Sequence, residues 1–250
     1  MMFVNVACGN LSPESTPTLT PDPPTATLPP PTETPTATPT STATATPDRT
    51  ATAAVIATQA AGEVQEEFDV LLEDTNIPYK DGKLTWKQSE NFEISMNGPD
   101  GRFLPFARNV KGKDFILKSD VTWNATGMLV CGAIFRSESN FKDGRQYTFL
   151  YLRLSGAPAW AIEYHEFGYF KNSPTGTKFS SAVDLTNGAK NQFVIIAQKG
   201  EFTVFINGVR QGKYFDHGIQ RSDGAFAFVG YQDSGNGTCK YENTVVWELP

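Results

Sequence analysis

From Leu11 to Thr50 the chain holds 14 Thr and 11 Pro in 40 residues, with no aromatic side chain. A segment so poor in apolar surface cannot offset the entropy lost on ordering it. Whatever folds must therefore come from about residue 63 onward. That leaves roughly 190 residues, which carry nearly all the aromatics and match the size of one large all-β domain. Thr/Pro alternation favours an extended, solvated chain of the kind found in O-glycosylated stalks. About 35 such residues at roughly 3 Å each reach on the order of 100 Å, enough to hold a domain away from a surface.

Other classes drop out on simple grounds. The net charge is −6, so the basic footprint of a nucleic-acid binder is missing. No apolar run approaches the length of a membrane-spanning helix. Two His and three Cys leave little material for a zinc site or a Ser–His–Asp triad. The turns at Asp143 and Asp233 lack enough oxygen ligands at loop spacing for calcium. No metal and no cofactor is expected. Between the tract and the domain, Ile56, Ala60, Val64, Phe68, Leu71 and Leu72 recur every three or four residues, while Glu63, Glu66, Glu67 and Asp69 fall mainly on the other side. This predicts an amphipathic helix, packed on the domain by its last turns.

At the amino terminus, Val6-Ala7-Cys8-Gly9 is similar to the end of a bacterial lipoprotein signal, which implies lipidation of Cys8. Asn5 stands where that motif usually has Leu. The apolar stretch ahead of it is shorter than the 7–15 residues or so of a signal core, as a start codon assigned too late would produce. The alternative is a free Cys in a leader. The organisation expected is a truncated signal remnant over 1–10, a disordered stalk over 11–50, a helix over 51–75 and a β domain over 77–250.

In the domain the period is two. Phe115, Leu117, Val121 and Trp123 share one face, and Lys118, Asp120 and Thr122 the other. Strand-like runs follow at 128–136, 146–154, 159–165, 192–197, 202–206, 225–231 and 240–249, with shorter ones at 84–86 and 92–96. Turns at Asp143-Gly144, Ser155-Gly156, Asn187-Gly188 and Asn236-Gly237 separate them. Asn207-Gly208 between β-rich flanks is a type I′ hairpin. The fold class predicted is all-β, an antiparallel β-sandwich or jelly roll.

The order Phe115-x-Leu117-x-x-Asp120-Val121-x-Trp123, Cys131-Gly132-x-Ile134-Phe135-Arg136, Tyr147-Thr148-Phe149-Leu150, Ile206-Asn207-Gly208, Gly224 to Phe228 and Val245-Val246-Trp247 resembles concanavalin A-like lectin/glucanase domains. Laminin-G-like and family 16 glycoside-hydrolase-related modules are the nearest types. The resemblance covers roughly 80–250 and implies a carbohydrate ligand. Family 16 hydrolases carry two strand carboxylates about 5 Å apart. The nearest stretch here is Glu163-Tyr164-His165-Glu166, whose two Glu are three apart and so point to opposite faces of a regular strand.

Two cysteines remain in the domain. In an exported protein Cys131 and Cys239 suggest a disulfide; two buried thiols are the alternative. For ligand binding, an inward Leu150, Leu152 and Leu154 places Tyr147, Phe149, Tyr151 and Arg153 on the open face. With Trp160, Ile162 and Tyr164 in the core, Glu163 and His165 join them; a one-residue shift presents Trp160 and Tyr164 instead. Arg136, ending its strand, reaches in. The candidate ligand-binding set is thus Arg136, Tyr151, Arg153, Trp160, Glu163, Tyr164 and His165. The function expected is a surface-displayed, lipid-anchored or secreted, monomeric and non-enzymatic module that binds a glycan or another cell-envelope component. A family 16-related hydrolase and a structural or protein-interaction module are the alternatives.

Overall fold

The computed structural model describes residues 49–154, 156–218 and 220–250, with side chains from Val55 onward. The signal remnant, Cys8 and the expected stalk as far as residue 48 lie outside the described residues; Arg49 and Thr50, expected in the stalk, already belong to the helix. The first element is α1 (Arg49–Leu72). The strands follow as β1 (Lys83–Lys87), β2 (Phe92–Asn97), β3 (Asp100–Pro105), β4 (Lys111–Gly112), β5 (Phe115–Ala125), β6 (Leu129–Ser137), β7 (Gln146–Leu154) and β8 (Ala157–Glu166). The second half of the chain adds β9 (Tyr169–Asn172), β10 (Lys178–Phe179), β11 (Lys190–Gln198), β12 (Glu201–Ile206), β13 (Val209–Phe215), β14 (Gly224–Gln232) and β15 (Asn236–Glu248).

Every pairing among them is antiparallel. One sheet runs β1-β15-β5-β11-β12-β13, with β2 also on β15. The other runs β10-β8-β7-β6-β14-β3, with β9 on β8 and β4 on β14. This is the two-layer antiparallel sandwich that the sequence predicts. Alternation builds the core. Phe115, Leu117, Val121 and Trp123 of β5 face Phe135, Phe149, Tyr151 and Phe228 of the other sheet in one cluster. The Asn207-Gly208 hairpin is present, with both residues at positive φ.

The two outer faces differ. On the β5 sheet, Val64, Phe68 and Leu72 of α1 pack on Ile116, Val194, Ile196, Phe205 and Trp247. The helix spends its apolar stripe there, so that face is covered. No helix lies on the outer face of the β7 sheet among the described residues, and the site is built there.

Cys131 on β6 and Cys239 on β15 form a disulfide between the sheets, with Cα atoms 5.7 Å apart. Beside it, the buried Tyr241 hydroxyl donates to the Val229 carbonyl at 2.6 Å and accepts from the Gly132 amide at 3.0 Å. Burial pushes that phenol well above its ordinary pKa.

Candidate functional site

Directly paired residues share a face, so register gives the composition of the open face. Across one row, Phe103 pairs with Val229, Val229 with Gly132, Gly132 with Leu150 and Leu150 with Ala161. In neighbouring rows Gly101 pairs with Tyr231, Thr148 with Glu163, and Gln146 with His165. The floor is therefore smooth, made of small and aliphatic side chains. The β6–β7 loop folds over one side, where Phe141 packs on Ile134, Ala227 and Val229.

The result is a groove of about 420 Å³, lined at one end by Phe103 and Tyr231 and at the other by Gln146, Thr148, Glu163 and His165. Its two ends differ chemically. Tyr231 and Phe103 are 41% and 39% exposed. A Cβ at Gly101 would rest 3.4 Å from the Tyr231 ring, so this glycine leaves that ring uncovered. At the other end His165 Nε2 lies 2.9 Å from Glu163 Oε2, both side chains about a quarter exposed. Gln146 is held by Ser137 at 2.8 Å and the Phe141 carbonyl at 2.9 Å. The arrangement offers flat rings, one carboxylate hydrogen-bonded to a histidine and oriented hydrogen-bonding groups.

Of the candidate residues, Glu163 and His165 lie on this face; five others do not, which corrects the expectation. Tyr151, Trp160 and Tyr164 point into the core. The phase of β7 is the reverse of that expected: Tyr147, Phe149 and Tyr151 go inward and Leu150 and Leu152 outward. Each aromatic buries far more surface than a leucine, and the tyrosine hydroxyls find partners inside. Tyr151 donates to the Gln192 carbonyl at 2.7 Å, and Tyr147 donates to Asp216. Tyr164 donates to Glu166 at 2.8 Å, and burial together with that bond pushes it up to about 12.

Arg136 is fully buried at the end of β6. Its backbone turns through φ 51°, which breaks the alternation. The guanidinium instead binds the Lys113 carbonyl at 2.7 and 3.0 Å and the Lys199 carbonyl at 2.6 Å. Arg153 follows the inward phase of its strand and ties two end loops, donating to the Ala125 carbonyl and Asn187 Oδ1.

Glu163 and Glu166 are not brought together. The β7–β8 register is regular through Glu163 and His165, and Glu166 beyond it pairs with Tyr169 of β9 and accepts from the inward Tyr164. Among the described residues, Glu163 is the one carboxylate lining the groove, and no group of three metal-ligating side chains converges. A larger depression of about 760 Å³ flanks α1. Its polar groups already satisfy one another: Glu67 pairs with Lys118, and Asp120 accepts from Lys190, Gln192 and Asn243.

Sequence reasoning missed the rings of the rim. Phe103 sits on β3, whose start reads as a turn, Gly98-Pro99-Asp100-Gly101. Phe170 and Phe179 sit on β9 and β10, too short to show a period.

No protein-family model matches the sequence, and a search of curated proteins finds no relative. Solved structures similar to this chain include a carbohydrate-binding module, CBM66, from Bacillus subtilis, at 15% identity and TM-score 0.47, covering 68% of this chain and 95% of that one. Sheep galectin-11 is similar at 11% identity and TM-score 0.40, covering 60% and 98%. An endo-β-1,3-glucanase from Pyrococcus furiosus is similar at 8% identity and TM-score 0.46, covering 68% and 95%.

Proposed function

We propose that the groove on the β7 sheet binds a glycan without cleaving it, in a monomeric module displayed at a cell surface. One observation carries the reading. A shallow groove sets two exposed rings at one end against a Glu163–His165 pair with Gln146 and Thr148 at the other. Sugars present flat apolar ring faces and equatorial hydroxyls, and this groove offers a surface for each. The lone groove carboxylate, already paired with His165, supports binding over hydrolysis, because the two-carboxylate mechanisms need a second such group within about 5–10 Å. The Thr/Pro tract and Cys8 support display on a tether, secreted or anchored by lipid.

The test is a glycan array followed by titration calorimetry on the best hit. Tyr231→Ala and Glu163→Gln should each weaken binding tenfold or more. An array without hits, combined with retention by a partner protein, would put a protein-interaction module in its place. Release of reducing ends from any polysaccharide, abolished by Glu163→Gln, would make it a hydrolase.

A further inference from the structure

We infer that the ligand is an extended polysaccharide chain lying across the strands, held by rings at both rims, and not a terminal sugar held at one point. The inference rests on the glycan reading above and specifies the ligand's length. Its basis is the far rim of the open face. Phe170 pairs with His165, and Phe179 pairs with Ala159. His165 and Ala159 belong to the outward phase of β8, so both phenylalanines stand on the groove side. They are 57% and 69% exposed. Phe170 meets His165 edge-on, with centroids 6.1 Å apart.

Phe170 and Phe179 stand at opposite ends of β8, about 20 Å apart, so each is a separate contact on the far rim. Phe179 ends the cross-strand row of Tyr231, Val130, Leu152 and Ala159, which puts a ring at both ends of one row. The path between the rims crosses β3, β14, β6, β7, β8 and β9. Five steps at about 4.8 Å give on the order of 24 Å. No single sugar ring spans that distance. The floor between the rims is kept low by Gly132, Val229, Leu150 and Ala161, so a chain can pass without climbing. The loop carrying Phe141 and Lys142 walls one side. The polar pair Glu163–His165 then meets the chain beside the far rim, next to Phe170.

The experiment is an affinity-versus-length series on the full chain. The probes are cello-, laminari- and xylo-oligosaccharides of two to six units, measured by calorimetry, with soluble laminarin and xylan as polymers. In the series that binds, affinity should rise tenfold or more from the dimer to the hexamer. Phe170→Ala should cut hexamer affinity about fivefold, the effect of one ring contact, and leave dimer affinity unchanged. Tyr231→Ala should weaken both. Equal affinity for dimer and hexamer, with Phe170→Ala silent, overturns the extended-chain inference while the glycan reading stands. No binding to any of these probes or to the array overturns both.

Discussion

Asp120 shows how a single carboxylate on the covered face is held. It sits under α1 and accepts from Asn243 at 2.9 Å, Gln192 at 3.0 Å and Lys190 at 3.2 Å. Burial alone would raise its pKa; the three hydrogen bonds and the Lys190 charge outweigh that, and the net shift is downward. A carboxylate depressed in the folded state contributes stability above its unfolded value near 3.9, and loses it as pH falls through the folded value. Asp120→Asn should therefore cost about 1–3 kcal/mol at pH 7, with the gap narrowing as the pH is taken below 4. Urea unfolding at pH 7 and pH 2.5 measures it. A gap equal at both would show that the charge is not what the network uses. Residue-scale roles of this kind were hardly legible in the sequence. Arg136 looked like a groove residue because it ends a strand of the right sheet. A positive φ at that one residue sends it to the carbonyls of Lys113 and Lys199 instead, and no periodicity announces such a turn.

Elements were more legible, to the degree that their two faces differ in polarity. The contrast is sharp in β5, where Lys118 and Asp120 alternate with Leu117 and Val121, and its inward face follows from sequence alone. It is absent in β7, where Tyr147-Thr148-Phe149-Leu150-Tyr151-Leu152 is apolar at both parities. One parity fills the core and the other floors the groove with half-buried leucines, so both are apolar and hydropathy cannot set the phase. The error in assigning Tyr151 is thus a consequence of the groove itself. The helix shows the opposite case. Its period predicts one apolar stripe, yet only the later turns have a sheet to cover: Val64, Phe68 and Leu72 are buried, while Ile56 is exposed. Phe68 meets the rings of Trp247 and Tyr79 edge-on, with centroids 5.7 and 6.3 Å away. Phe68→Ala should cost about 3–5 kcal/mol, and Ile56→Ala should stay within about 0.5 kcal/mol. Comparable losses at both positions in thermal unfolding would mean that the helix is held along its whole length.

At the scale of the molecule, the open sheet must be kept in place with no helix on its outer face among the described residues, where Phe141 of the β6–β7 loop packs on one side. Most of the holding falls to the interior. Two ties cross from β15 to the strands of the groove floor: the Cys131–Cys239 bridge and the Tyr241 hydroxyl between Gly132 and Val229. Cys131 stands between Val130 and Gly132, both outward-facing, so the bridge anchors the floor from behind without entering the groove. The bridged residues are 108 apart in the chain, and closing so long a loop restricts the unfolded state strongly. Cys131→Ala with Cys239→Ala should lower stability by about 2–4 kcal/mol. The aromatic core that joins the sheets remains, so the variant should still fold below its lowered midpoint. Glycan affinity measured there should match that of the intact chain within a factor of about two, because the floor's register is fixed by strand pairing and not by the bridge. Affinity lost in step with the bridge, while the circular dichroism of the sheets is retained, would show that the groove depends on the covalent tie to hold its shape.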